Sequence, residues 1–228
     1  MNNRRIWFRL GGVLAAAAVC TGGAAVVSDR AQEVKNVQRA FLGAMETQMQ
    51  IGCYPSETGS PADLTERERT ELQTAYTSRV EQYYTEENPC RKRYIALNED
   101  FLTACDSDVE YSESGGVADC RFDSVRLYAD RMTAVVQAQT VVWDKRISGN
   151  PEQGFSVELP VNRDTITATM KKENGVWKLD SIDSQISLSA AVPADDEVCR
   201  ERYPTFETAR QAADSIDDQA YIKEARFA

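Results

Sequence analysis

Six cysteines, no histidine and an excess of carboxylates bound the chemistry open to this chain. The missing histidine excludes Ser-His-Asp and Cys-His catalysis, His-ligated zinc and haem held by a proximal His. No two cysteines stand at C-x-x-C spacing, so neither a zinc site nor a thioredoxin-like redox pair is expected. No G-x-S-x-G or S-x-x-K pattern marks a nucleophilic serine. Asp106, Asp108, Glu110 and Glu113 concentrate charge but lack the spacing and central glycine of a calcium loop. They read as solvated acids, as do Asp195, Asp196, Glu197, Asp214, Asp217 and Asp218. No catalytic residue, cofactor or metal is assigned on this reading.

The cysteines read instead as disulfide partners in an oxidising compartment. Cys20 lies in an apolar run, whereas Cys53, Cys90, Cys105, Cys120 and Cys199 lie in the part expected to be exported. A helix over Arg91 to Ala104 would hold Cys90 and Cys105 about 22 Å apart, beyond the roughly 7 Å that a bond spans. Cys105 and Cys120 are the candidate pair, because Gly115 and Gly116 between them let the chain double back. Closing such a loop would stabilise the fold by roughly 3 kcal/mol. Cys90 with Cys120 is the main competitor, and Cys53 and Cys199 are left as further partners. Among the aromatic and long apolar residues, Trp143, Met170, Trp177 and Leu179 could line a cavity, although a tryptophan on a strand is more often core.

These residues must be positioned by elements that 228 residues can build, with 42% hydrophobic and 27% charged side chains and a formal net charge of −10. That composition suits a globular domain with tails, and the acidic balance argues against a nucleic-acid partner. Arg4, Arg5 and Arg9 precede an uncharged run, Leu10 to Ser28, long enough for a helix of about 28 Å. The charge order predicts a signal anchor spanning residues 1–28, crossing the membrane through 10–28 with a cytoplasmic N-terminus. Cleavage near Gly23-Ala24-Ala25 is the rival outcome. Val34, Val37, Phe41, Met45 and Met49 continue a helical pattern, so residues 29–63 read as a stalk helix and linker. The acidic remainder is expected to stand off the membrane on that stalk.

Thr65 and Glu68 form a capping-box pattern ahead of Leu72, Tyr76, Val80 and Tyr84, and Asn88-Pro89 should end that helix. A second helix is expected over Arg91 to Ala104, and a loop or weak strand over Asp106 to Asp119. Phe122 to Tyr128 and Thr133 to Trp143 read as strands. Asp164 to Lys172 and Val176 to Ile182 read as a hairpin closed by Asn174-Gly175 in a type I′ turn. Ile166, Ala168, Met170, Trp177 and Leu179 then share its buried face. Residues 64–192 thus read as an α+β domain of helices packed on a curved antiparallel sheet, and 193–228 as an acidic C-terminal tail.

An opening helix with Tyr83-Tyr84, a second helix, the long strand Thr133 to Trp143 and the closing run Gly175-Val176-Trp177-Lys178-Leu179 resemble the nuclear transport factor 2-like (SnoaL-like cone) superfamily. Behind a membrane helix, the layout is also similar to envelope accessory proteins of Gram-positive bacteria. The resemblance implies a cone-shaped cavity. The His-Asp chemistry of some members cannot occur here, and no Tyr-carboxylate motif carries over. The expected function is that of a membrane-anchored, non-catalytic extracytoplasmic protein that binds other envelope proteins or a hydrophobic ligand. The alternatives are an enzyme using Tyr and carboxylate acid-base chemistry in a cone-type pocket, and a binding module secreted after cleavage.

Overall fold

The computed structural model describes residues 25–53, 64–103, 109–191 and 197–227. Most of the expected membrane segment, residues 1–24, lies outside them, as does Cys105. The chain forms α1 (Ala25–Met49), α2 (Glu66–Tyr83), α3 (Pro89–Thr103), β1 (Val109–Leu127), β2 (Thr133–Asn150), β3 (Gly154–Glu158), β4 (Val161–Glu173), β5 (Val176–Ala191), α4 (Glu197–Arg200), α5 (Phe206–Asp214) and α6 (Asp218–Ala225). This is an α+β fold with a five-stranded, curved antiparallel sheet. No helix among the described residues is long and apolar enough to cross a membrane.

The sheet is a meander built from neighbouring hairpins. β1 pairs with β2 along almost its whole length, and β4 pairs with β5. β3 and β4 line the same edge of β2 in a single register, since Arg146 faces Glu158 and Trp143 faces Val161. They are one long strand interrupted at Pro160, whose carbonyl still accepts from Asp144 N–H but whose ring nitrogen has no proton to donate. At the β4–β5 turn, Asn174 and Gly175 have φ of 51° and 82°, the two positive values that a type I′ turn requires. The register runs as expected from Glu173↔Val176 to Met170↔Leu179. A bulge then shifts it, so that Ala168 faces Ile182 rather than Ser181.

Helices α1, α2 and α3 cover one face of this sheet. α1 contributes Val37, Ala40, Phe41, Ala44 and Met45 at helical spacing, all buried. They meet Ala134, Val136 and Ala138 of β2, Ile166, Ala168 and Met170 of β4, and Trp177 and Leu179 of β5. The helix expected to serve as a stalk therefore lies in the core, because its apolar stripe is as wide as a sheet-facing stripe needs to be. At α2 the capping box is present in full, with Thr65 and Glu68 each bonded to the other's backbone N–H. α3 starts at Pro89 rather than Arg91. Proline suits the first helical position, and Asn88 caps the helix by accepting from Cys90 N–H at 2.8 Å.

Two further stretches bear on the sequence reading. The segment expected as a loop or weak strand is, from residue 109 onward, the first half of β1, so the strand alternative holds there. The expected acidic tail folds back as α4 to α6 and buries Ala209, Ala213, Ile216 and Ile222. Of these, Ala209, Ala213 and Ile216 join a second core with Tyr111, Ile147, Phe155, Val157 and Leu159. β2 serves both cores. Its buried positions are even-numbered from Ala134 to Val142, joined by Val141 on the opposite face, whereas Lys145 and Ile147 are buried beyond that point.

Candidate functional site

The four residues expected to line a cavity lie in three places. Met170 and Leu179 are sealed inside the first core, with no exposed surface. Trp143 packs against the second core and against Val141 and Val161. Trp177 is 3% exposed, yet it borders two clefts along α1, one beside Asp29 to Glu33 and one beside Asn36 to Ala40. One cleft, of about 420 Å³, is lined by Asp29, Arg30, Glu33, Tyr128, Arg131 and Trp177 among others. The second, of about 320 Å³, lies between Asn36 and Arg39 of α1 and Gly175-Val176 of the β4–β5 turn.

Glu33 organises this end of the fold. Its carboxylate accepts from Trp177 Nε1 at 2.6 Å and from Lys172 Nζ at 2.8 Å. The ammonium of Lys172 lies 5.3 Å from the centre of the Trp177 ring, within cation–π range. Hydrogen bonds from Lys172 and then Trp177 lower the pKa of Glu33. The carboxylate is a fixed anion that positions the indole, not a group poised to shuttle protons near neutrality. Sequence spacing could not have revealed this trio, because Glu33 lies on the first helix and its partners on the last hairpin.

Burial lifts two carboxyls among the described residues, Glu46 on α1 and, more strongly, Glu113. Glu113 on β1 has its pKa raised to about 7, chiefly by desolvation and then by a hydrogen bond with Asp214. Lys145 Nζ, 7% exposed, lies 3.2 Å from Glu113 Oε2 and 3.2 Å from Asp218 Oδ2, and it donates to the carbonyl of Ala213. Glu113, Asp214 and Asp218 were expected to be solvated. Here they form a closed polar seam that fastens α5 and α6 to β1 and β2.

Tyrosine hydroxyls are also committed to structure. Tyr76 donates to the carbonyl of Thr47 and Tyr84 to that of Ala44, at 3.2 and 2.7 Å. Burial raises the pKa of Tyr76, Tyr84, Tyr94 and Tyr111, so none offers a ready acid-base group. Cys53 donates to Ser112 Oγ at 3.3 Å, and Ser112 donates to Asp144 at 2.8 Å. Burial pushes the Cys53 thiol up to about 12, which leaves it protonated and unreactive at neutral pH. Cys120, half of the candidate disulfide, carries a free thiol against the first core, as does Cys90. Cys199 lies beside the second core. Among the described residues no cluster of side chains could hold a metal ion.

The outer face of the sheet, opposite α1 to α3, is mostly uncovered. Among the described residues, α6 and Phe227 lie across one end of it. Phe227 N–H donates to Asp119, its ring stacks under the Arg163 guanidinium, and it packs by Val141 and Val161. The rest presents Gln137 and Gln139 of β2, Thr165, Thr167 and Thr169 of β4, and Ile186 and Leu188 of β5, which are 62% and 66% exposed.

No protein-family model matches the chain, and no curated protein matches it. The crystal structure of the intermembrane space region of chloroplast protein ARC6 is similar at 14% identity over 74% of this chain and 99% of that chain, with a TM-score of 0.32.

Proposed function

We propose that this chain is a non-catalytic, membrane-anchored protein whose extracytoplasmic domain binds another envelope protein through the open outer face of its sheet. The observation that carries this reading is the pair Ile186 and Leu188. Among the described residues they are the two most exposed large apolar side chains, they sit on an edge strand, and they are framed by threonines, serines and glutamines able to hydrogen-bond a partner. A hydrophobic ligand is the weaker form of the proposal, because Met170 and Leu179 lie in a filled core. The acid-base enzyme finds little support, since Glu113 is closed beneath α5 and α6 and Glu33 is a fixed anion.

Three N-terminal arginines ahead of the uncharged run Leu10 to Ser28 support the anchor, with the N-terminus cytoplasmic. The kinship to nuclear transport factor 2-like domains belongs to the same proposal, supported by three helices on one face of a curved sheet. So does a bond between Cys105 and Cys120, which non-reducing peptide mapping would read.

The test of the interface is affinity capture from native membranes with the wild-type chain and with Ile186→Lys/Leu188→Lys. A protein retained by the wild type and lost by the variant at unchanged Tm supports the reading. Identical retention by both overturns the outer face as the interface.

A further inference from the structure

The same structure determines how far the domain can stand from the membrane, resting on the reading of residues 10–28 as the anchor. The uncharged run ends at Ser28, and α1 is already helical from Ala25. Five residues later, Glu33 is bonded to Lys172 and Trp177 of the β4–β5 hairpin. Five residues of helix rise about 7.5 Å, close to the depth of the headgroup layer. No stalk separates the run from the domain, contrary to the sequence expectation. Whatever lies beside the first turns of α1 is held at lipid-headgroup level.

What lies there are two hairpin tips. The β1–β2 turn carries Tyr128 and Met132, 44% and 47% exposed, and the β4–β5 turn carries Val176, 51% exposed. A backbone bond from Lys172 N–H to the carbonyl of Met132 ties the tips together. These three are the remaining large apolar side chains exposed among the described residues, and all gather at this end. Tyrosine is enriched at membrane interfaces because its ring is apolar and its hydroxyl is wet.

Charge at this end differs from that of the whole. From Leu10 onward the chain carries −10 − 3 = −13, the three arginines before it being removed and no acid lying among the first nine residues. The tips and the first turns of α1 bear Arg30, Arg126 and Arg131, none in an ion pair among the described residues. Arg126 lies over the Tyr128 ring at 5.5 Å. The acids here are Asp29, Glu33, Asp130 and Glu173, the last paired with Lys178 at 3.3 Å. Glu33 is neutralised by Lys172, and Asp130 is occupied by the turn, accepting from Met132 N–H, Thr133 N–H and the Thr133 hydroxyl. Arginines beside exposed tyrosine and methionine match a phosphate layer above hydrocarbon.

We propose that this end of the domain rests on the bilayer surface, with Tyr128, Met132 and Val176 in the headgroup layer and Arg30 and Arg131 on lipid phosphates. The full chain would be reconstituted into vesicles of phosphatidylcholine and phosphatidylglycerol carrying a photoactivatable phospholipid. Adducts would then be mapped by peptide mass spectrometry. Adducts are expected on peptides containing Tyr128, Met132 and Val176 as well as on the 10–28 run. Arg30→Glu/Arg131→Glu should lower the tip adducts several-fold at unchanged Tm and unchanged resistance to alkaline extraction. Adducts confined to residues 10–28 would overturn the contact and leave the anchor standing. A chain released by alkaline carbonate, with no adducts, would overturn the anchor and the contact with it.

Discussion

Glu113 is the carboxyl whose ionisation this fold resists most visibly. Below about pH 4.5 it is protonated whether the chain is folded or not. Between there and about 7 the unfolded chain releases the proton while the folded chain keeps it, so stability falls as pH rises through that window and levels off above it. Glu113→Gln stays neutral throughout. Its Tm should decline less across the window than that of the wild type, and parallel declines would mean that another group sets the slope. At Trp177 the stake is packing. Trp177→Ala should cost about 3–5 kcal/mol, whereas Thr167→Ala, on the outer face, should cost under about 1 kcal/mol. Equal losses in thermal unfolding would place the two side chains in the same environment and refute the assigned faces.

Among the elements, β1 shows how a strand escapes local reading. Gly115-Gly116 looks like a break, and Glu113 looks like a solvent-facing acid. Both features are explained by distant partners: Lys145 on β2 meets Glu113, and a Cβ at Gly115 would stand 2.4 Å from the carbonyl oxygen of Met49 at the end of α1. The glycine lets helix and strand approach. Gly115→Ala should therefore destabilise by about 1–3 kcal/mol. Gly116→Ala, whose Cβ would meet only Trp143 Nε1 at 3.6 Å, should lie within about 1 kcal/mol of wild type. Equal tolerance in urea titrations would remove close approach as the reason for Gly115. Where signals are local the reading was sound, as at the Thr65–Glu68 cap and the Asn174-Gly175 turn. The C-terminal segment reads as weakly helical, but its packing was hidden for the opposite reason to β1: Ala209 and Ala213 mark a buried stripe of small side chains, which hydrophobic periodicity barely registers. The Glu33–Lys172–Trp177 trio joins the two ends of the fold and has no local signature at all.

For the whole molecule, two cores share one long strand, and the second depends on the last helices. A chain ending at Pro204 would leave Ile147, Phe155 and Val157 without Ala209, Ala213 and Ile216. It should unfold at lower temperature and bind a hydrophobic dye. An unchanged Tm without dye binding would show that the second core closes without those helices. The join between Glu33 and Lys172 has a consequence in time. The sheet is all neighbouring hairpins and can pair as it emerges, but α1 waits for a partner 139 residues later in the chain. At about 5–20 residues per second of synthesis, that wait is roughly 7–28 s. For that interval the apolar stripe Val37, Phe41 and Met45 has only the elements already made, α2, β1 and β2, to cover it, so a newborn molecule passes through a window in which a chaperone, or a neighbouring nascent chain, competes with its own last hairpin.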